Sequence, residues 1–395
     1  MSVANVLDSI ETLAERFLPP LEPLKARFRL NVANVTRDVV VNGDRCRVEE
    51  PRGDADVEIS TDAMTWREIE LGRLSGIEAF GSKRLSIRGS IEKSLHFEPL
   101  FRRPPGGFKY SLELVETRGG RISALFAGDE KAEPLVLIHG LGATKASWLT
   151  VVPQLAKRFR VIAIDLPGFG ASDKPMGRYD APWFAHRVTG LLDVLGIDSA
   201  YIAGNSMGGR VAMELGMRHP DRVKAIACLC PAAAFTKRPA LRLVRVLRPE
   251  LGIVASRLPR SRILPSMRQL FADPACVEES WYDAAIDDFL SVWRSPRARM
   301  AFFASLRNIY LDPPAGDQGF WTRLKAMKTP ALYIYGKHDV LISHHFAKKV
   351  RRHLPSADIA VWSDCGHVPQ IEFPDRTAEA LTGFYDRAAS KQVPA

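Results

Sequence analysis

A serine in the second half of the chain has the surroundings that nucleophilic catalysis requires. Ser206 stands in Gly204-Asn205-Ser206-Met207-Gly208, a G-x-S-x-G motif that follows the apolar run AYIA and precedes an apolar helical pattern. A strand, a sharp turn and a helix at such a motif hold the serine hydroxyl out at the edge of a sheet, and the glycines leave room for neighbouring backbone. The alternative is an ordinary glycine-rich turn with a capping serine, and the pentapeptide by itself does not decide between the two.

Two motifs nearer the C-terminus supply a base and an acid for this serine, whose hydroxyl is a weak nucleophile near neutral pH. The apolar run ALYIYG leads into Asp339, and DIAVW leads into SDCGH, which ends at His367. Both residues thus follow a strand at its C-terminal end, the edge where open α/β sheets build their sites. The chain order predicts Ser206 as nucleophile, His367 as general base and Asp339 as the acid that orients the histidine.

The other acids and histidines fit these roles less well. Asp364 is too close in sequence to His367 to reach its ring easily, and Asp165 and His139 are expected to brace their own loops. Six other histidines lie on or beside predicted helices, where a solvated or a satisfied buried side chain is expected; they are His186, His219, His338, His344, His345 and His353.

The tetrahedral intermediate of such a reaction needs two hydrogen-bond donors aimed at its oxyanion. The N–H of Met207, directly after the nucleophile, is predicted to be one. The second is assigned to the N–H of Leu141, in the glycine-flanked loop after PLVLIH.

A cofactor site or a metal site would be an alternative to serine catalysis. No phosphate-binding glycine loop follows a strand, and no H-E-x-x-H or close histidine and carboxylate cluster is present, so we expect neither a cofactor nor a metal. The five cysteines are odd in number and irregularly spaced, which favours a reducing compartment. No signal peptide and no apolar run long enough for a membrane span is visible, and we expect a cytoplasmic protein.

Two domains position these residues. Short β-rich runs from Leu24 to Ile59, with a hairpin signal at Val41-Asn42-Gly43-Asp44, predict an antiparallel meander, and helices and one more strand follow. The first 17 residues read as an amphipathic helix that packs on this α+β domain or on a membrane. The linker RRPPGG places the boundary between domains 1–105 and 106–395.

The second domain alternates continuous apolar strands with helices, which is typical of a doubly wound, mostly parallel α/β sheet. The alternation is interrupted between about 232 and 320 by a helical, arginine-rich insertion.

The segments HGLGATKASW, DLPGFGASD, GNSMGG, YGKHD and CGHVPQIEFP occur in an order and at a spacing that resemble the α/β-hydrolase family, over roughly Phe108 to Ala388. The resemblance implies an eight-stranded sheet, the three roles assigned above and a helical cap made by the insertion at 232–320. HGLGATKASW is most similar to monoacylglycerol lipases and carboxylesterases. GNSMGG also occurs in meta-cleavage-product hydrolases, but those typically carry Trp after the histidine where this chain has Val368, which favours esters. Ser206 argues against the dehalogenases and epoxide hydrolases of this fold, whose nucleophile is Asp.

From Leu24 to Phe101 the chain resembles sterol carrier protein type 2 domains, through its acidic strand DADVEIS and the pattern GSKRLSIRGS. The resemblance implies an apolar tunnel for a fatty acyl or sterol ligand, or a domain of that shape used as a scaffold.

The positive charge is concentrated in one stretch. Residues 235–272 contain nine basic residues and one acid, a net +8 against +10 for the whole chain. Interleaved apolar residues make this stretch suited to transient contact with an anionic membrane surface, and a solvated cap face is the open alternative. No recognition motif accompanies the charge, so nucleic acid is not expected.

These patterns favour a cofactor-free serine hydrolase that cleaves a lipid-like carboxylic ester through an acyl-enzyme on Ser206. One alternative is a carbon–carbon bond hydrolase of the meta-cleavage-product type. A second is a lipid-binding or carrier protein in which hydrolysis is secondary.

Overall fold

The structure, a computed structural model, describes residues 3–20, 22–104, 106–233, 248–253 and 258–391. Contacts group the chain into two units. One comprises Met1–Leu112 and Val277–Asp288, and the other comprises Glu113–Cys276 and Phe289–Ala395. The first division lies near the predicted boundary at residue 105, whereas Val277–Asp288 falls inside the predicted cap insertion and groups with the N-terminal unit.

A five-stranded sheet forms the frame of the N-terminal unit. Its strands are β1 (Lys25–Val32), β2 (Val35–Asn42), β3 (Arg45–Glu49), β4 (Val57–Thr61) and β5 (Leu85–Gly89), in the order β3-β2-β1-β4-β5. Asn42 pairs with Arg45 across the two-residue turn at Gly43, whose φ of +64° favours glycine, so the hairpin prediction is confirmed. The meander prediction is wrong for β4, which lies parallel to β1. Alternating burial is the same for either strand direction, so the sequence pattern did not reveal this crossover.

Helices cover one face of this sheet. They are α1 (Val3–Glu11), α2 (Ala63–Glu70), α3 (Gly76–Gly81) and α4 (Ile91–Phe97), with a 3-10 turn at Thr12–Arg16 after the first and another at Glu98–Leu100. Val6, Ile10 and Leu13 are buried in the core of the unit, so the N-terminal amphipathic segment packs on its own domain. Aromatic rings pack within the same core, with Phe28 and Phe97 5.1 Å apart and Phe97 and Phe101 5.0 Å apart between ring centroids.

The second unit is built on an eight-stranded sheet in the order β13-β12-β11-β10-β8-β9-β7-β6. Its strands are β6 (Tyr110–Thr117), β7 (Gly120–Ala127), β8 (Pro134–Ile138), β9 (Arg160–Ile164), β10 (Ala200–Asn205), β11 (Val223–Leu229), β12 (Ala331–Gly336) and β13 (Asp358–Trp362). The strands β8 to β13 are all parallel to their neighbours among them, and β7 runs antiparallel to β9. The predicted doubly wound, mostly parallel sheet is confirmed.

Seven helices and one 3-10 turn, at Lys145–Trp148, accompany this sheet outside the cap within the described chain. The helices are α5 (Val152–Leu155), α6 (Ala181–Val194), α7 (Met207–Arg218), α11 (Phe320–Lys325), α12 (Phe346–His353), α13 (Pro369–Glu372) and α14 (Pro374–Ser390). Every residue of β10 and β12 is buried, because a parallel sheet with helices on both faces exposes neither face to water. This explains why these strands read as unbroken apolar runs rather than as alternating patterns.

The insertion after β11 is helical in the part that the structure describes, as predicted. It contains α8 (Arg260–Arg268), α9 (Glu279–Arg294) and α10 (Pro296–Tyr310), after a 3-10 turn at Pro249–Ile253. Much of the predicted basic membrane surface, at 234–247 and 254–257, lies outside the described residues. None of the described helices combines the length and apolar character that a bilayer crossing requires.

Candidate active site

Ser206 lies on the tight turn between β10 and α7. Its backbone has φ 54° and ψ −112°, a left-handed conformation that a side chain rarely adopts and that marks a functional constraint. The neighbouring chain leaves no space for larger residues on either side. A Cβ on Gly204 would lie 2.2 Å from the carbonyl of Gly208, and one on Gly208 would lie 2.1 Å from the carbonyl oxygen of Ile138. The G-x-S-x-G spacing is thus required by backbone packing at this turn.

His367 and Asp339 meet at the C-terminal edge of the sheet. The Nδ1 atom of His367 lies 2.7 Å from Oδ2 of Asp339, and both side chains are buried. The other carboxylate oxygen, Oδ1, accepts hydrogen bonds from the N–H groups of Leu341 and Ile342, each at 2.8 Å. Because the carboxylate accepts the Nδ1 proton, Nε2 of the imidazole is left as a proton acceptor, which is the tautomer that a general base needs.

A cavity of about 170 Å³ joins the histidine to the serine. Its polar side chains are Asn205, Ser206, Ser305 and His367, and the remaining lining is apolar apart from backbone. The apolar part comes from Leu141, Ala143, Met207, Ala232, Leu270, Leu306, Ile309, Leu341 and Val368. The hydroxyl of Ser305, on α10, is buried and has no hydrogen-bond partner within the described chain.

The two predicted oxyanion donors lie beside this cavity. Met207 is the first residue of α7, and the N–H groups of a helix's first turn have no acceptor within the helix. A Cβ on Gly140 would lie 3.3 Å from Cβ of Ser206, so the backbone leading to Leu141 passes directly beside the nucleophile. Both Leu141 and Met207 line the cavity. Their role as donors stays a prediction.

Comparison with known proteins identifies the second unit. Residues 133–374, more than half of the chain, match the family model for the α/β hydrolase fold. The chain belongs to the α/β-hydrolase family. Residues 8–102 of this hydrolase match a second model, that of the SCP-2 sterol transfer family, as predicted from the sequence.

Three similar proteins illustrate the range of this family. The hydrolase is 34% identical over 268 residues to the dihydrolipoyllysine-residue acetyltransferase component of the acetoin cleaving system of Pseudomonas putida, covering 67% of each chain. It is 30% identical over 270 residues to 2-hydroxymuconate semialdehyde hydrolase of Pseudomonas sp. strain CF600, covering 66% of this chain and 89% of that one. A bacterial membrane phospholipase A superposes with a TM-score of 0.60 at 27% identity, covering 71% of this chain and 87% of that one.

His139 braces the loop that carries Leu141, as predicted. Asp165, predicted to pin its own loop, accepts the N–H of Ala171 there at 2.9 Å and also holds the loop that carries Leu141. His139 Nε2 accepts the N–H of Leu166 at 2.9 Å while Nδ1 lies 2.7 Å from the carbonyl oxygen of Gly140, and burial lowers the pKa of His139. Asp165 forms a fully buried ion pair with Lys145 at 2.9 Å and also accepts the Lys145 N–H. The burial of Lys145 could not be predicted from the sequence, since a lysine in a loop motif gives no sign of burial.

Asn205 is a positioning residue that sequence analysis also missed. Its amide nitrogen donates to the carbonyl oxygens of Leu229 at 3.1 Å and His367 at 3.0 Å. One side chain next to the nucleophile thus holds the backbone of the general base. Its place in the pentapeptide was the available signal, because a buried amide needs specific partners.

The loop before His367 is hydrogen-bonded to the middle of the cap, between α8 and α9. The N–H of His367 donates to the carbonyl oxygen of Leu270 at 2.6 Å. Glu372 accepts the N–H of Gly366 at 2.7 Å through one oxygen and those of Ala272 and Asp273 at 2.8 and 3.2 Å through the other. Glu372 therefore connects the histidine loop to the segment after α8.

One grouping of metal-ligand residue types occurs in the described chain. Ligand atoms of Cys230, Asp339 and His367 lie within 4.8 Å of one another. Burial and the neighbouring Asp339 carboxylate raise the pKa of the Cys230 thiol well above its usual range, which keeps the sulfur protonated. With His367 and Asp339 bonded to each other, this group fits a hydrogen-bonded pair beside a thiol better than a metal centre.

Proposed function

We propose that this α/β-hydrolase is a serine esterase that cleaves carboxylic esters with lipid-like groups through an acyl-enzyme on Ser206. The observation that carries the proposal is the strained Ser206 sharing one cavity with a His367 whose Nδ1 lies 2.7 Å from Asp339. A buried carboxylate, an oriented imidazole and a hydroxyl on a constrained turn are the parts that acyl transfer requires.

In this mechanism Ser206 Oγ attacks the ester carbonyl while His367 Nε2 accepts the hydroxyl proton. The N–H groups of Leu141 and Met207 stabilise the oxyanion. The histidine returns the proton to the leaving alcohol. A water molecule then attacks the acyl carbonyl while His367 accepts its proton, and the histidine passes that proton to Ser206 Oγ as the carboxylic acid leaves. Asp339 keeps its charge throughout, holding the imidazole in one tautomer and stabilising the imidazolium.

The lipid-like character of the substrate is inferred from the cavity and from a relative. A volume of about 170 Å³ is similar to that of cavities that hold a benzene-sized group, and its apolar walls favour an alkyl or aryl group over a polar one. One of the similar solved structures, with a TM-score of 0.60 and 27% identity to this chain, is a membrane phospholipase A.

Turnover of p-nitrophenyl acyl esters tests this proposal. Ser206→Ala is expected to lower kcat by about 10⁶-fold if the three residues act as a unit, and a fluorophosphonate probe is expected to label the native protein but not the variant. Ser356→Ala, at an exposed serine, is the matched control and is expected to retain both labelling and turnover. Ester turnover that survives in Ser206→Ala contradicts the mechanism.

A second candidate is hydrolysis of a carbon–carbon bond in a vinylogous diketone. It is favoured by the 30% identity with 2-hydroxymuconate semialdehyde hydrolase over most of that enzyme's length. Val368 after the histidine is the departure that places esters first. Assaying a meta-cleavage product beside p-nitrophenyl esters separates the two, because kcat/KM is expected to be high for one class alone.

For the N-terminal unit we propose binding of a fatty acyl or sterol ligand, with a structural scaffold as the competing role. Support comes from the match of residues 8–102 to the SCP-2 sterol transfer family. Mass spectrometry of lipids that co-purify with the full chain tests this. A stoichiometric lipid together with a Ser206 that a fluorophosphonate does not label is the result that favours the lipid-carrier alternative for the whole protein.

A further inference from the structure

Two apolar side chains are exposed beside the mouth of the cavity. Val340 and Leu341, directly after Asp339, are 56% and 40% exposed, and Leu341 also lines the cavity. The hydrogen bonds from Leu341 and Ile342 to the Asp339 carboxylate fix the backbone of this loop, and the buried Ile342 anchors it. The protein therefore holds an exposed apolar loop in place next to its reacting groups.

The helix that follows this loop presents a basic outer face. On α12 the exposed side chains Lys348, Arg351 and Arg352 lie at positions i, i+3 and i+4, which share one side of a helix, while Ala347 and Val350 are buried on the other. Lys337, just before the loop, is also exposed. Residues 337–352 contain five basic residues and one acid, and that acid is Asp339, which is bonded to His367.

Within the part of the chain that the structure describes, none of the four basic side chains Lys337, Lys348, Arg351 and Arg352 forms an ion pair. The neighbouring bases on α14 behave differently, since they form 3.0 Å ion pairs, Arg376 with Asp364 and Arg387 with Asp358. An unpaired basic face of this kind interacts favourably with a surface of opposite charge.

The apolar loop and the basic face are close enough to meet one surface together. Four extended residues from Leu341 to His345 and one helical turn to Lys348 limit their separation to about 20 Å. Basic side chains flanking exposed aliphatic ones suit an anionic bilayer, where charges bind headgroups and apolar tips enter the acyl boundary. Nucleic acid has no apolar layer that the side chain of Val340 could enter. Phe346 is half-buried against Trp321, so its ring is not free to stack on a base.

We propose that residues 337–352 form a docking surface for an anionic lipid bilayer, with Val340 and Leu341 at the membrane and Lys337, Lys348, Arg351 and Arg352 on its headgroups. When the protein is docked in this way, the mouth of its cavity lies at the bilayer, from which a lipid-like ester can enter. The substrate part of this inference rests on the proposed function, whereas the docking itself does not.

Co-sedimentation of the full chain with vesicles tests the surface. Native protein is expected to bind vesicles of phosphatidylcholine mixed with phosphatidylglycerol, and to bind pure phosphatidylcholine weakly. The triple variant K348Q/R351Q/R352Q is expected to lower the partition coefficient about a hundredfold, at about fivefold per charge. Raising the salt concentration is expected to weaken binding of the native protein and to have little effect on the variant.

The matched control K131Q/K157Q/K328Q removes three exposed bases elsewhere in the same unit that form no ion pair with any described residue, and it is expected to bind within about threefold of the native protein. Both triple variants are expected to hydrolyse soluble p-nitrophenyl butyrate at the native kcat/KM, which excludes misfolding. Equal loss of binding in the two variants, or native protein that binds duplex DNA but no anionic vesicle, overturns the proposal. Ser206→Ala is expected to bind vesicles like the native protein, because docking does not need the nucleophile. Native protein that hydrolyses esters but does not bind vesicles refutes the docking alone. Native protein that binds vesicles but does not hydrolyse esters refutes the proposed function alone.

Discussion

Replacing Asp339 by Asn tests the catalytic assignment through the geometry of a single carboxylate. Its Oδ1 atom accepts the N–H groups of Leu341 and Ile342, and its Oδ2 atom faces Nδ1 of His367 at 2.7 Å. In Asp339→Asn the amide oxygen must remain opposite the two backbone donors, which leaves the NH₂ group facing the histidine. Nδ1 must then accept, so the ring proton moves to Nε2 and the base can no longer take the proton of Ser206.

The expected cost is about 10⁴-fold in kcat for p-nitrophenyl butyrate, or about 5.4 kcal/mol of transition-state stabilisation, with little change in KM. Folding should be nearly unaffected, because the variant keeps both backbone hydrogen bonds, and thermal unfolding measures this directly. Asp364→Asn is the control, since Asp364 pairs with Arg376 at the surface and should retain native turnover. An Asp339→Asn enzyme that works within tenfold of the native rate would refute the tautomer argument and the acid's assigned role.

Three further outcomes concern buried polar groups. Lys145→Met leaves Asp165 as an unpaired buried charge and is expected to lower the free energy of unfolding by about 3–5 kcal/mol in urea titrations; a loss below about 1 kcal/mol contradicts the bracing role. Burial raises the pKa of Glu214, but Arg210, Arg323 and Arg218 outweigh it and lower that pKa to about 2. The resulting contribution to the free energy of unfolding, about 3 kcal/mol, is present above the unfolded pKa of about 4.5 and is lost as the pH falls towards 2. In Glu214→Gln the free energy of unfolding, measured by urea titration at several pH values, should therefore fall less steeply between pH 4.5 and 2 than in the native protein. Ser305→Ala removes a buried hydroxyl without a partner in the described chain and is expected to raise the free energy of unfolding by about 1 kcal/mol, whereas a decrease indicates a hydrogen bond that the resting geometry does not show.

The sheet of the second unit could be predicted from the sequence because its strands are buried on both faces. ALYIYG and AYIAG are unbroken apolar runs, and they form the fully buried strands β12 and β10. The direction of β4 could not be predicted in this way, since its alternating pattern is satisfied equally by parallel and antiparallel neighbours. Pairing direction depends on the path of the whole connection rather than on local residue types.

Some residues of the candidate site could likewise be predicted from the sequence, and others could not. Ser206, Asp339 and His367 could be proposed because each follows a strand and all three strand ends meet at one edge. Asn205, Glu372 and Lys145 act on backbone groups or on ions that are remote in sequence, such as the carbonyl of His367, which lies 162 residues from Asn205. A motif that contains such a residue does not indicate which distant group it contacts, so the three-dimensional arrangement was needed to find these contacts.

The bonds between the cap and the histidine loop determine how this protein can be recombined with its relatives. The carbonyl of Leu270 and the N–H groups of Ala272 and Asp273 lie in the middle of the cap, between α8 and α9, yet they hold the backbone next to His367. A chimera that replaces the whole insertion at 232–320 also replaces these partners, so it must supply an equivalent carbonyl and two equivalent amides. An exchange that ends before Leu270 keeps the native partners but leaves α9 and α10 in place.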